Sequence, residues 1–284
     1  LIQAKFYETY YFCNIIRNIL HDQFSYLVNL NEFYGDGAYI NLVGPFDRYS
    51  SLHQFIEFIV DDVFYENASS VDLDKRKNNL ERLSSLPTAL RGDEYRQLPI
   101  ELALEFHNIK HESFEAYLVG KSKDFLSCDE DDIYDYMAEL RFTGEYEALI
   151  DQTVKEVFHV LYQNRELMLL FNDMVSRNIE YQVEDGIPDS VSKLFKKNGT
   201  LLRKTIPKWV QRAVFFRDRG RCVLCDKDLS GLINLENYDH IVPLARHGLN
   251  DISNIQLLCR ECNNKKRAGS PTTSNTYQSW YAYD

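Results

Sequence analysis

Two cysteine pairs, Cys222-x2-Cys225 and Cys259-x2-Cys262, lie 33 residues apart in a chain of 284 residues. Each pair can present two thiolates to one ion, and two pairs complete a tetrahedral four-cysteine zinc site. Such a site leaves no coordination position for a substrate. The expected zinc is therefore structural, stapling a module too small to bury much apolar surface alone. Other chemistry is interleaved with it. Asp239 and His240 sit in "NYDHIVP", Asn254 precedes "IQLLC", and Asn263 directly follows the second pair in "LLCRECNNKK". Aspartate is a hard oxygen ligand for Mg2+. An imidazole with an ordinary pKa near ~6.5 suits a general base at neutral pH. Phosphodiester hydrolysis needs such a base, charge neutralisation at phosphate and stabilisation of the leaving 3′ oxygen. Successive residues of a strand point to opposite faces. Asp239 and His240 can therefore share a site only where the backbone bends or at the strand's edge.

The stretch "NYDHIVPLARHGLNDISNIQLLCRECNNKK", with the basic helix before the first pair, resembles the catalytic core of the HNH nuclease family. The resemblance covers roughly residues 207–267. It implies a ββα-metal finger, two strands and a helix around a metal, with an irregular loop after the first strand. His240 is then the catalytic base. Asn254 is the middle residue of the pattern, its amide bracing the loop that carries the base. Asn263 stands where the final His of the pattern would be, as in the family variant with an Asn oxygen as metal ligand. With Asp239 it implies a hard oxygen pair that prefers Mg2+ or Mn2+ as the catalytic ion. Asn is also a favoured helix N-cap, and one side-chain oxygen cannot serve both roles, so Asn263 stands open between ligand and cap.

The implied activity is a metal-dependent endonuclease acting on nucleic acid, with DNA favoured over RNA. Restriction or phage defence is the expectation drawn from prokaryotic HNH proteins with large N-terminal domains. The rival is a non-catalytic zinc module that binds nucleic acid. Lys265, Lys266 and Arg267, with Arg219, Arg221 and Arg246, are the expected nucleic-acid contacts; Lys204, Lys208, Arg212 and Arg217 extend the same basic surface. Nothing encodes base readout.

Charge divides the chain. Residues 1–189 carry 16 Lys and Arg against 35 Asp and Glu, whereas residues 190–284 carry 16 against 8. The net charges are −19 and +8, the asymmetry expected when one part meets a polyanion and the other does not. The expected organisation is an acidic helical domain over 1–189, offering a protein partner or regulatory contact, and a basic nuclease domain over 190–284. The fold class is mainly α with a small zinc-stapled finger. Cysteines in pairs, with Cys13 and Cys128 alone, suit a reducing cytoplasm. No apolar run approaches the ~20 residues needed to span a bilayer, and the first residues show neither basic n-region nor cleavage site, so no signal peptide is expected.

Apolar spacing of three and four predicts helices over "FYETYYFCNIIRNILHDQFSYLVNL" and "SSLHQFIEFIVDDVFYENA", the latter capped by Ser50 or Ser51. One helix is expected from Pro99 to Gly120, with His107 and His111 four apart on an ordinary face. A capping box is expected at Ser127 with Glu130, a long helical stretch over 145–181, and a basic helix from near Pro207. Extended pieces are expected at "YDHIV" and "IQLLC". Trp280 and Tyr281 close a polar tail.

Overall fold

The computed structural model describes residues 7–84, 96–230 and 237–276; Trp280 and Tyr281 lie outside them. The helices are α1 (Tyr7–His21), α2 (Leu27–Tyr34), α3 (Tyr39–Leu42), α4 (Ser51–Ser69), α5 (Leu73–Ser84), α6 (Pro99–Phe106), α7 (Phe114–Gly120), α8 (Glu130–Thr143), α9 (Glu145–Leu161), α10 (Arg165–Glu184) and α11 (Lys208–Arg217). Strands β1 (Asn237–His240) and β2 (Ile255–Leu258) follow, then α12 (Arg260–Lys266). This is the mainly helical chain with a small C-terminal ββα element that the sequence predicts.

Several boundaries differ from expectation. The helix expected from Pro99 to Gly120 is two helices. Asn108 adopts the left-handed region, and Ile109 N–H bonds back to Leu104 O, which ends α6. Ser113 then caps α7. His107 is thus the residue that ends α6 and His111 lies beyond it, so the two never share a helical face. Buried Glu101 joins the pair of helices by accepting from Leu98 N and Phe114 N at 2.6 and 2.9 Å. The capping box before α8 is Asp129 with Asp132, two residues later than expected, because Ser127 is engaged in a turn with Asp124. The stretch over 145–181 breaks after Leu161, where Asn164 accepts from Glu166 N and Leu167 N and starts α10. Ser51 begins α4, leaving Ser50 as its cap, hydrogen-bonded to His53.

The chain divides into two compact units. One joins Glu57–Glu156 to the residues before Cys13; the other joins Cys13–Ile56 to the residues from Val157 on. The cut passes within α1, α4 and α9 and does not coincide with the step in charge at 189/190. In the first unit the core is aromatic, with Phe114 against Tyr136 at 5.3 Å and Phe12 against Phe64 at 5.3 Å. Cys128 is buried there, its thiol on Phe125 O.

In the second unit Phe55 packs between Phe33 and Phe171. Here residues far upstream of 190 hold the ββα element. Asp251, fully buried, accepts from Ser51 N at 2.9 Å and from Ser253 N at 2.8 Å. Asn172 of α10 donates to Ser253 Oγ at 3.0 Å, and Phe46 N donates to Asn250 O at 2.8 Å. The small ββα element is tied to α4 and α10 by these buried hydrogen bonds. That is why proximity and charge divide the chain at different places.

Candidate active site

β1 pairs antiparallel with β2, with Asp239 opposite Gln256 and His240 opposite Ile255. The outer edge of β2 is held by the end of α11. Arg217 and Asp218, both fully buried, form a two-pronged ion pair at 2.9 and 3.0 Å. Arg217 donates to Ile255 O at 2.6 Å, and Asp218 accepts from Leu257 N at 2.9 Å. Burial opposes the Arg217 charge, and Asp218 more than offsets it, so its pKa rises. Arg217 was expected among the phosphate contacts. It is instead a structural cation, because unpaired strand-edge groups in the interior need partners.

The four cysteines converge. Their sulfurs all lie within 4.8 Å of one another, Cys225 and Cys259 at 3.7 Å, and none is in a disulfide. Tetrahedral zinc with Zn–S bonds near 2.3 Å needs sulfurs about 3.8 Å apart, so the cluster fits a four-thiolate ion. Val223 N donates to Leu257 O, tying the first knuckle to β2.

The second knuckle opens α12. Cys259 is its N-cap, with Sγ accepting from Cys262 N at 3.4 Å. Asn263 therefore lies inside the helix, and the cap alternative for it falls away. Asn263 and Lys266 are three apart, hence on one face, and that face meets β1. Lys266 Nζ lies 2.9 Å from Asp239 Oδ2 and donates to His240 O at 2.6 Å. Its side chain is only 2% exposed. It was expected to meet phosphate; instead it is consumed by a strand carboxylate and a strand carbonyl.

At the end of β1 a cleft of about 540 Å3 opens. It is lined by Tyr238, Asp239, His240, Pro243, Leu244, Ala245, Asn263, Asn264, Arg267 and Ala268, and by Lys196 and Arg203 from before α11. Asp239, His240 and Asn263 thus share one site, at the point where the strand gives way to a loop. His240 is 1% exposed, and the Asn250 side chain is a polar neighbour close enough to favour its charged form. Burial first, then the Arg203 guanidinium, push its pKa down to about 4, against the opposing pull of Asp239. The imidazole is therefore neutral at pH 7 and a weaker base than an ordinary imidazole.

Asn254 is buried and holds the loop after His240. Its Oδ1 accepts from Val242 N at 2.8 Å, and its Nδ2 donates to Val242 O at 3.0 Å and Leu249 O at 2.9 Å. Gly248 lies so close to the Val242 carbonyl that a Cβ there would collide with it.

Of the six expected nucleic-acid contacts, only Arg267 lines the cleft. Lys265 and Arg246 are exposed elsewhere on the surface. Arg221 pairs with Asp226 at 3.3 Å beside the first knuckle, and Arg219, half-buried, follows α11 in a left-handed conformation. Lys196 and Arg203 are cleft residues that sequence reasoning missed. Their only signal was a basic run, "KLFKKNGTLLRK", outside the motif.

Residues 222–269 match the family model described as HNH endonuclease. No curated protein and no solved structure matches the chain at a significant level. The matched segment contains both cysteine pairs, Asp239, His240, Asn254 and Asn263, and it implies action on nucleic acid. Among the described residues no helix is long and apolar enough to cross a membrane.

Proposed function

We propose that this chain is an HNH endonuclease that hydrolyses phosphodiester bonds, with His240 as general base and with Asp239 and Asn263 as ligands of a divalent ion. The observation that carries the reading is the cleft itself, lined together by an imidazole (His240), a carboxylate (Asp239) and an amide (Asn263). A base and two hard oxygen donors converging on one concave site are what metal-assisted hydrolysis needs. The donor set suits the metal, since a carboxylate and an amide oxygen are hard ligands. Mg2+ or Mn2+ bound there would supply charge neutralisation at the phosphate and the leaving oxygen.

The rest is done by the chain itself. The neutral His240 imidazole takes the proton of the attacking water at a ring nitrogen. Asn254 keeps the following loop, and so the ring, in place. Lys266 fixes the Asp239 carboxylate and the His240 carbonyl together. Cys259 and Cys262, which with Cys222 and Cys225 would hold zinc, fix the start of α12, and with it Asn263. DNA is the substrate assigned first, ahead of RNA.

One observation favours a second reading, a nucleic-acid-binding module without catalysis: the Lys266 ammonium already occupies one side of Asp239, at 2.9 Å. The test is a cleavage assay of the purified full chain on single- and double-stranded DNA and RNA, with Mg2+ or Mn2+. Cleavage of any of these, abolished by Asp239→Asn, is the expected result. Binding without cleavage under both metals would overturn catalysis in favour of the second reading.

A further inference from the structure

The cleft carries more positive charge than its candidate metal ligands explain. Asp239 is neutralised by Lys266, yet Lys196, Arg203 and Arg267 also line the walls. Lys196 and Arg203 are exposed and make no ion pair with any described residue. Arg203 lines the same cleft as His240. Gathering cations in one cleft is unfavourable unless an anion enters it.

Their placement is built. Residues 194–202 form a tight hairpin: Phe195 bridges Leu201, Lys196 N donates to Thr200 O at 2.8 Å, and Leu202 N donates to Leu194 O at 2.8 Å. Its tip is Asn198–Gly199, with Gly199 at φ +75 and Asn198 Oδ1 accepting from Thr200 Oγ1 at 2.8 Å. Phe195 and Leu201 are buried, so the alternation of an extended chain turns Lys196 outward. Arg203 is fixed from both sides by one residue. Asn250, 3% exposed, donates to Leu202 O at 2.9 Å and accepts from Lys204 N at 3.4 Å. Asn250 lies in the loop that Asn254 braces. The hairpin and the His240 loop are therefore one assembly, although the hairpin precedes the family segment by some 20 residues.

We propose that Lys196 and Arg203 form a phosphate-binding wall that takes the backbone of a polynucleotide strand, with Asn250 as the positioning residue for Arg203. This rests on reading the cleft as a nuclease site. A planar guanidinium can hold two phosphate oxygens at once, and an ammonium adds a second point of charge. Both contacts read the backbone and carry no base preference.

The test uses the full chain with His240→Ala, so that bound strands stay intact, and measures fluorescence anisotropy of a short labelled duplex and single strand across a salt series. Arg203→Gln should weaken binding about fivefold or more and reduce the salt slope by about one. Arg203→Lys should restore the slope, which a merely structural role would not require. Lys155→Gln, on the exposed side of α9 in the first unit, should change affinity less than about twofold. Zinc content and circular dichroism establish that each variant is folded. If Arg203→Gln binds with the affinity and slope of its parent, the wall is refuted while the nuclease reading stands. If Arg203→Gln loses affinity and the parallel chain with His240 intact cuts nothing, the wall stands and catalysis falls. Absence of any nucleic-acid binding by the parent overturns both.

Discussion

His107 and His240 are both buried, and their surroundings differ in kind. His107 sits in the first unit with a side chain 3% exposed. Its Nδ1 is 3.5 Å from Glu156, its Nε2 is 3.9 Å from Glu8, and Thr153 Oγ1 is 3.5 Å from the same nitrogen. Burial lowers its pKa and Glu156 opposes the shift. His240 is as deeply buried, with Asn250 as a polar neighbour, two cations among its nearby charges and an open cleft beside it. One ring belongs to a closed polar cluster; the other lines a cleft with a carboxylate and an amide. Burial and a lowered pKa are common to both, so neither marks function. The open cleft does.

The contrast breaks most visibly at Asn254. Asn254→Ala strands Val242 N, Val242 O and Leu249 O in the interior, which should cost about 2–4 kcal/mol in a denaturant melt. It should also lower cleavage by about 100-fold or more, because the base loses its position. Activity kept at the wild-type level would show that the loop needs no brace.

Next in size is Lys266→Met, which removes the ammonium from Asp239 without emptying the space. Mn2+ affinity, measured by electron paramagnetic resonance on zinc-loaded protein, should rise by about tenfold. Unchanged or weaker binding would argue against Asp239 as a metal ligand.

The smallest effect lies on the His107 side. Burial first, then Glu156, push the Glu8 carboxyl up to about 7. The fold therefore favours protonated Glu8. It imposes no cost below the unfolded pKa, near ~4.3 for Glu, and a growing cost as pH rises toward 7. Glu8→Gln should gain stability over wild type by about 1–3 kcal/mol between pH 5 and pH 8, with cleavage unchanged. Parallel stability profiles for the two proteins would refute the assignment.

Much of the finger was legible because its chemistry is local. Fixed cysteine spacing foretells the thiolate cluster, and the order of "DHIVP", Asn254 and Asn263 foretells which residues line the cleft or hold its loop. What stayed hidden depends on partners far along the chain. Arg217 reads as one more surface cation until its carboxylate neighbour and the edge of β2 bury it. Lys266 reads as a phosphate contact until α12 lays it on Asp239, 27 residues earlier. Lys196 and Arg203 carry no motif; a hairpin turns Lys196 outward, and Asn250, 47 residues on, holds the backbone on both sides of Arg203. The break at Asn108 was missed because a single left-handed residue leaves the apolar periodicity of α6 and α7 intact. Charge along the chain suggested a division at 189/190; contacts such as Ser51 with Asp251 tie residues on the acidic side to the finger.

The most direct measurement sets the two histidines against each other in one cleavage assay. Wild type, His240→Ala and His107→Gln, each checked for zinc content, are given the same DNA and RNA substrates with Mg2+ or Mn2+. The expected result is cleavage by wild type and His107→Gln at similar rates, and a loss of about 100- to 10,000-fold for His240→Ala with nucleic-acid binding retained. Cleavage by His240→Ala at the wild-type rate would contradict the assignment of the base, and with it the reading of the cleft.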